Sequence, residues 1–273
     1  MSKLSLFAAT HPIVGMIHLL PLPEAPSYQG SPEAIFDRAV REATTLQMAG
    51  VDALIVENFG DDPYLPAELT TAQLALMAAV TRDVIRSVPI PVGVNCQFNA
   101  WQSEVAVAHA CGAAFIRVEV FVDTVVMAQG LVPPCSAQIR RYRQHLGAQD
   151  VALWADIQTK YTHNLLPQSI EQSAQDAQAA GADVLIITGA ATGKATPLDV
   201  VAQVKKIISI PVVVGSGTTA ANVSQVLEIA DGAIVGSSLK ESGRAENEVS
   251  AEAALAFMTA ARHAAAKTLR ETR

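Results

Sequence analysis

Eight short apolar segments alternate with helical patterns along the chain, and this alternation constrains the fold more than any other feature. Four segments begin near a proline or a short turn and are rich in valine, whereas the other four follow a helix that ends at small residues. The first kind lies at 12–15, 91–94, 151–154 and 211–214, and the second at 49–57, 111–119, 180–188 and 230–236. Helical patterns lie near 33–49, 71–87, 101–111, 136–146, 169–180, 198–209, 220–229 and 251–270. Because helices connect parallel strands, the alternation predicts an α/β fold, a single (β/α)8 TIM barrel.

No linker or change of composition divides the 273-residue chain, so we expect one domain over residues 1–273 that ends in the helix at 251–270. A doubly wound open sheet would also alternate strands with helices. It would not require four regular pairs of strands, and the closed barrel is therefore favoured.

The composition limits the classes of partner and compartment. Only 16% of the residues are charged and the net charge is −7, and nucleic acid is therefore not an expected partner. The three cysteines have no C-x-x-C spacing, which predicts neither a disulfide framework nor a zinc site. The sequence shows neither a signal-peptide pattern nor a run of apolar residues long enough to span a membrane, so we expect a cytoplasmic location.

An aspartate recurs where the second kind of strand begins. Asp52, Asp183 and Asp231 each follow the small residues that end a helix. In a barrel this position lies at the end opposite the usual active site, where recurring features serve stability. We therefore predict a structural role for these three residues.

Polar residues, in contrast, gather where the predicted strands end. The carboxyl ends of barrel strands converge on one face, which carries the active site in barrel enzymes. Four residues there have side chains suited to proton transfer and are candidate catalytic residues: His18, Glu57, Glu119 and Asp156. Five more are candidate ligand-binding residues: Asn95, Arg117, Lys160, Thr188 and Gly189. No spacing typical of metal ligands accompanies them, and no metal is predicted.

The alternation of side chains along the fourth strand supports this placement. Phe115, Arg117 and Glu119 fall on one face of the strand, and burying the charged pair against helices would be costly. We expect the set to point into the barrel mouth. Two interpretations stay open, namely a structural ion-pair network that closes the barrel top and a functional site.

Glycine and serine follow the last two predicted strands. The turns Gly215-Ser216-Gly217 and Gly236-Ser237-Ser238 leave backbone N–H groups uncovered by side chains. If the two strands are parallel neighbours, these groups converge on one spot that suits an anion. The turns predict a phosphate site and hence a phosphorylated small-molecule ligand. The chain has neither a G-x-G-x-x-G nor a Walker A motif, and no cofactor is predicted.

The segment at 120–135 is unusually apolar for a loop. Three interpretations stay open: it closes over a ligand, it packs within the protein or its oligomer, or it contacts a membrane surface or a protein partner.

Seven short motifs, taken in order, resemble the BtpA/SgcQ family. They are PIVGMIHLLPLPEAPSY at 12–28, AGVDALIVENF at 49–59, PVGVNCQFN at 91–99, GAAFIRVEVF at 112–121, DVLIITGAATG at 183–193, VVVGSGTTAANV at 212–223 and ADGAIVGSSLK at 230–240. The resemblance covers about residues 10–245, nearly the whole chain.

The resemblance implies a TIM barrel of the ribulose-phosphate-binding kind. For the cyanobacterial branch it implies a role in photosystem I biogenesis or stabilisation, with photosystem I assembly components or the thylakoid membrane surface as partners. For a branch in heterotrophic bacteria it implies an enzyme on a phosphorylated sugar or nucleoside, similar to a nucleosidase or an isomerase. The family supplies no established catalytic residues, so the site candidates rest on position in the barrel. We also expect a homo-oligomer.

Overall fold

The computed structural model describes the backbone of residues 9–271 and the side chains of residues 9–266. Its strands are β1 (Ile13–His18), β2 (Ala53–Glu57), β3 (Val92–Asn95), β4 (Phe115–Val118), β5 (Val125–Met127), β6 (Gly130–Val132), β7 (Ala152–Asp156), β8 (His163–Asn164), β9 (Val184–Ile187), β10 (Val212–Val214) and β11 (Gly232–Val235). Eight of them pair in parallel in the order β1–β2–β3–β4–β7–β9–β10–β11, and β11 pairs back to β1. The predicted (β/α)8 barrel is confirmed.

Helices connect the barrel strands. They are α1 (Pro32–Ala49), α2 (Thr71–Ser87), α3 (Trp101–Cys111), α4 (Ser136–Leu146), α5 (Ile170–Ala179), α6 (Leu198–Lys205), α7 (Val223–Ile229) and α8 (Ala251–Glu271). Two of them are shorter than the sequence pattern predicts. The chain tightens after α6, where the N–H of Lys206 bonds to the carbonyl of Gln203, and it must be extended before Pro211. Before α7, Asn222 Oδ1 accepts from the N–H of Thr219 and holds a turn.

Large side chains fill the inside of the barrel. Phe115 and Trp154 stack there with ring centroids 4.4 Å apart, and both are fully buried. A Cβ atom on Gly93 would lie 2.6 Å from Cζ of Phe115, so the opposing position must be glycine. Because the interior is packed, a ligand can enter only above this layer, at the carboxyl ends of the strands.

The recurring aspartates fix the opposite end of the barrel. Asp52 accepts from the N–H of Ile13, Asp183 from that of Leu153 and Asp231 from that of Val212, each at 2.8 Å. Each aspartate thus holds an N–H of the first or second residue of the preceding strand in its pair. Their predicted structural role is confirmed.

The apolar segment at 120–135 is more ordered than a covering loop. It contains the β5–β6 hairpin, and β8 pairs antiparallel with β5 to complete a small three-stranded sheet above the barrel. One face of this sheet packs within the protein, because Val125 and Val132 are buried against Phe98. On the other face Val126 and Leu131 pair with each other and are 39% and 56% exposed.

A second excursion, at 236–250, folds over the strand ends between β11 and α8. It is fixed to α1 by Lys240 and Glu42, which form an ion pair at 3.1 Å with both side chains almost fully buried. Arg38 adds a second bond to Glu42 at 2.9 Å. The anchor places the carbonyl of Ala245 above the end of β1, where it becomes part of the site.

Candidate functional site

Two connected cavities open at the carboxyl ends of the barrel strands. The outer cavity has a volume of about 750 Å³ and the inner chamber, between the turns after β10 and β11, about 40 Å³. Seven residues line both and mark the passage between them: Glu57, Phe59, Arg117, Lys160, Thr192, Gly193 and Ser237. A cavity needs roughly 10–15 Å³ to hold one water molecule, so the inner chamber, at about 40 Å³, has room for a group about the size of a phosphate. The outer cavity is large enough for a whole small-molecule ligand.

The glycine–serine turns form the wall of the inner chamber. Gly217 has a φ of +69°, and a Cβ there would lie 2.5 Å from Cα of Ala195, so only glycine fits. Within residues 9–271, the N–H groups of Ser216, Gly217 and Ser237 donate no hydrogen bond to the protein. N–H groups in such turns that donate no hydrogen bond to the protein can bind an anion.

The hydroxyl groups of two predicted phosphate ligands are already engaged. Ser216 Oγ accepts from the N–H of Gly189 at 2.9 Å and donates to the carbonyl of Lys194 at 3.2 Å. Ser238 Oγ donates to the carbonyl of Thr218 at 2.7 Å. These hydroxyls hold neighbouring loops together, and the turns present their backbone to the chamber instead.

Arg117 stands at the passage and is held by Asp156. Its Nε and Nη2 atoms donate to the two carboxylate oxygens of Asp156 at 3.1 and 2.9 Å, and both side chains are buried. Burial alone would lower the pKa of Arg117, but the carboxylate of Asp156 raises it above its ordinary value. Asp156 lines neither cavity. The structure therefore places this predicted catalytic carboxylate behind Arg117, in a positioning role.

Lys160 supplies a second cation at the same passage. Its Nζ donates to Thr192 Oγ1 at 3.0 Å, which ties the loop after β7 to the loop after β9. Burial and the nearby charge of Arg117 lower the pKa of Lys160. Two cationic side chains thus face the entrance of a chamber lined by N–H groups, and this arrangement is complementary to an anion.

Glu57 is the carboxylate that faces both cavities. Burial raises its pKa above the ordinary value, although Arg117 and Lys160 act in the opposite direction. Gln97 donates to it and also lowers the pKa. A carboxyl group with a raised pKa that faces a cavity suits general acid–base catalysis.

His18 lies on the wall of the inner chamber as a neutral imidazole. Burial, together with the charge of Lys240, lowers its pKa well below the ordinary value. Its Nδ1 lies 2.8 Å from the carbonyl of Ala245, which can only accept, so Nδ1 carries the proton. The ring stacks on Phe59 with centroids 4.3 Å apart. The lone pair of Nε2, on the side of Gly236, is left to accept a proton or a hydrogen bond.

Glu119 lines the outer cavity and belongs to a buried carboxyl pair. Asn95 Nδ2 donates to Glu119 at 2.6 Å and to Glu104 at 3.1 Å, and the N–H of Asn99 donates to Glu119 at 3.0 Å. Burial raises the pKa of Glu119 to about 8 and that of Glu104 well above its ordinary value. One Glu104 oxygen is buried without a partner among the described residues. A carboxyl in this setting is neutral at pH 7.

The structure brings most of the predicted site residues to the cavities. Those that line them are His18, Glu57, Arg117, Glu119, Lys160, Gly215, Ser216, Gly217, Gly236 and Ser237. Those that lie behind the lining are Asn95, Asp156, Thr188, Gly189 and Ser238. Thr188 places its Oγ1 in a buried position without a partner among the described residues. Gly189 is required by packing, because a Cβ there would lie 2.8 Å from the carbonyl of Ala195.

Sequence reasoning missed the aromatic and loop residues of the lining. Phe59, Tyr64, Phe98 and Tyr161 line the outer cavity, and Thr192 and Gly193 line both cavities. They come from loops after strands, where the period of the strand no longer indicates which way a side chain points. A search for aromatic residues within four positions after a strand end would have identified Phe59 and Phe98.

No group of three or more His, Cys, Asp or Glu residues in the described part of the chain is placed to hold a metal ion. The three cysteines are buried thiols. Among the described helices, none combines the length and the apolar character needed to cross a bilayer.

The fold and the cavities define a (β/α)8-barrel protein with a small anion-complementary chamber at the ends of its seventh and eighth barrel strands. The chain belongs to the BtpA family, whose model matches residues 9–263. It is similar to an uncharacterized protein of Pyrococcus abyssi, with 38% identity over 89% of this chain and 93% of the relative. It is also similar to the photosystem I biogenesis protein BtpA of Synechocystis, with 35% identity over 93% of this chain and 89% of that protein. A mitochondrial protein of Caenorhabditis elegans is 34% identical over 93% of this chain and 94% of its own length.

Solved structures show the same fold at low sequence identity. The thiamine phosphate pyrophosphorylase of Pyrococcus furiosus superposes with a TM-score of 0.57 at 16% identity, covering 93% of this chain and 96% of that one. The N-(5′-phosphoribosyl)anthranilate isomerase of the same organism gives 0.56 at 16% identity, covering 93% of this chain and all of that one (100%). Identities this low support the barrel fold alone.

Proposed function

We propose that this protein is an enzyme that binds a phosphorylated sugar or nucleoside and acts on it by proton transfer. The observation that carries the proposal is the inner chamber, where uncommitted N–H groups and two cations surround a phosphate-sized space next to Glu57. A scaffold protein has no need to bury Arg117 and Glu57 at the edge of a cavity, because buried charges cost free energy.

In this proposal the residues of the site have different roles. Ser216, Gly217 and Ser237 bind the phosphate through their N–H groups, and Arg117 and Lys160 balance its charge. Glu57, at the passage, faces the part of the ligand next to the phosphate and exchanges a proton with it.

His18 and Glu119 complement Glu57. His18 is neutral, and its Nε2 has no hydrogen-bond partner among the described residues, so this atom accepts a hydrogen bond or a proton but cannot donate one. Glu119 carries a proton at neutral pH, since its pKa is raised to about 8. An acceptor and a donor are the pair that isomerisation or hydrolysis of a glycosidic bond requires, and here the acceptor His18 lines the inner chamber while the donor Glu119 lines the outer cavity.

A thermal-shift titration tests the phosphate site. Inorganic phosphate and ribose 5-phosphate are added at constant ionic strength, with chloride as the reference anion. At a ligand concentration 100-fold above Kd, binding stabilises the folded state by about 2.7 kcal/mol, which raises Tm by roughly 5–10 °C. Ser237→Asp places a negative charge on the chamber wall and should abolish the shift. Thr44→Asp on the exposed face of α1 is the matched control and should retain it. No shift with either anion would refute the proposal.

A role in photosystem I biogenesis is the second candidate, and the Synechocystis relative supports it. Relatives of similar identity in Pyrococcus and Caenorhabditis, organisms without photosystem I, favour an older function shared by the family. Expression in a cyanobacterium that lacks its own family member tests this role, with photosystem I content measured by P700 absorbance. Restored content supports it, and unchanged content argues against it. Restoration by Glu57→Gln as well would show that the role does not depend on proton transfer.

A further inference from the structure

We propose that the outer cavity binds a planar nitrogen-containing ring, uncharged or cationic, which is carried by the same ligand whose single phosphate enters the inner chamber. The inference rests on the proposed function and narrows its substrate to a ring-bearing monophosphate.

The sizes of the two cavities indicate that each binds a different part of the same ligand. The inner chamber, at about 40 Å³, accepts a phosphate and no ring. The outer cavity, at about 750 Å³, is far larger than a pentose needs and lies in the range of sites for drug-sized ligands. Because the two share the passage at Glu57 and Arg117, one molecule can occupy both.

Four of the residues that line the outer cavity are aromatic, namely Phe59, Tyr64, Phe98 and Tyr161. Phe98 is 5% exposed and packs with Tyr64 and Met127 in one apolar cluster under the β5–β6 hairpin. The Tyr64 hydroxyl donates to the carbonyl of Phe59 at 2.9 Å, which fixes the ring of Tyr64 at the cavity edge. Phe59 is in turn held by its stack on His18. Aromatic side chains that line a cavity and are held in place can bind a planar ring by stacking.

The charges of the two cavities differ in sign. The charged residues at the inner chamber are Glu57, Arg117 and Lys160. Beyond this shared set, the outer cavity adds the carboxylates of Asp62 and Glu246, the protonated Glu119, and no further Lys or Arg of the described chain. A second phosphate would meet the carboxylates of Asp62 and Glu246 there, whereas a ring with N–H groups or a positive charge would be favoured. The amide of Gln97 also faces this space and can bond to a ring edge.

A binding series in isothermal titration calorimetry tests the inference without any variant. The probes are inorganic phosphate, ribose 5-phosphate, adenosine 5′-monophosphate, nicotinamide mononucleotide with its cationic ring, and adenosine 5′-diphosphate. We expect at least one ring-bearing monophosphate to bind about tenfold more tightly than ribose 5-phosphate, from the stacking of one ring. We also expect the diphosphate to bind more weakly than the corresponding monophosphate.

Variants of Tyr64 locate the ring. Tyr64→Leu should lower the affinity of the ring-bearing monophosphate to that of ribose 5-phosphate and leave ribose 5-phosphate unaffected. Tyr64→Phe keeps the aromatic face and should retain most of the affinity. Tyr142→Leu on α4, where Tyr142 packs against Trp101 with centroids 6.1 Å apart, is the control and should change neither.

The outcomes separate the two proposals. If ribose 5-phosphate binds as tightly as every ring-bearing monophosphate, the ring site is refuted and the phosphate chamber stands. If the diphosphate binds more tightly than its monophosphate, the assignment of the acidic outer wall is refuted. If none of the probes binds, inorganic phosphate included, the phosphate chamber fails and the ring site fails with it.

Discussion

Removing the charge of Asp156 tests whether this residue and Arg117 depend on each other as a buried ion pair. In Asp156→Asn the amide oxygen still accepts one of the two N–H groups that now bond to the carboxylate at 3.1 and 2.9 Å. The guanidinium, 4% exposed, then has no counter-charge in contact with it. Breaking a buried ion pair costs about 3–5 kcal/mol, and the bond that remains places this variant near 3 kcal/mol. That is a large part of the roughly 5–15 kcal/mol that stabilises a typical domain.

The assay is equilibrium unfolding in urea, followed by tryptophan fluorescence and far-UV circular dichroism. Arg117→Met and the double variant Asp156→Asn/Arg117→Met complete a double-mutant cycle. Because the double variant leaves no unpaired charge, we expect it to be at least 1.5 kcal/mol more stable than the sum of the single effects indicates. Additivity to within about 0.5 kcal/mol would refute the reasoning, since it would mean that the two charges do not depend on each other.

Three further predictions concern other parts of the barrel. The pKa of Glu119, raised to about 8 from an ordinary 4.5, means that the folded state holds this proton while the unfolded state has lost it. The free energy of unfolding should therefore fall as pH rises from about 5 to 8, and the Glu119→Gln variant should show a weaker fall in the same urea titrations. If the fall is equal in the two proteins, Glu119 does not carry the proton in the folded state. Gly93→Ala should lower the free energy of unfolding by about 1–3 kcal/mol because its methyl group crowds Phe115, and adding Phe115→Leu should recover part of this loss. If the effects of the two substitutions simply add in urea unfolding, the contact between the two positions is contradicted. Asp231→Ala removes a bond to the N–H of Val212 and the partly exposed ion pair with Lys205, and it should cost about 1–2 kcal/mol of the free energy of unfolding. The phosphate thermal shift should stay intact, because Asp231 lies at the far end of the barrel; a lost shift would contradict that placement.

The sequence pattern predicted the barrel because each of the eight barrel strands is buried along its whole length and helical segments alternate with these strands. It also placed Arg117 in the barrel mouth, since Phe115 shares its face of β4. It did not predict that Asp156 pairs with Arg117, although β4 and β7 are neighbours and their register places Arg117 opposite Trp154. Pairing depends on side-chain length and direction as well as on strand order.

Loop contacts were less predictable for a physical reason. Ser216 follows a strand and appeared free to bind phosphate, but the fold brings the N–H of Gly189 and the carbonyl of Lys194 to its hydroxyl. Such contacts join residues from different loops, and no periodicity encodes them. Glu104 was missed because a glutamate in a first helical turn is usually exposed, whereas here it accepts from the N–H of Cys96 beneath the site.

The aspartates at the far end of the barrel also bear on how this architecture can change. Asp52, Asp183 and Asp231 each fix the register of one strand pair through a bond between the two strands of that pair. A pair that carries its own register lock can be copied or exchanged as a module without realigning the rest of the sheet. In the remaining pair, β3 and β4, Ala114 occupies the corresponding position, and its N–H bonds to the carbonyl of Val92 at 2.8 Å without a side chain that returns a bond. That pair bears Asn95 and Arg117, so the strand pair that lacks such an aspartate is also a pair that shapes the site.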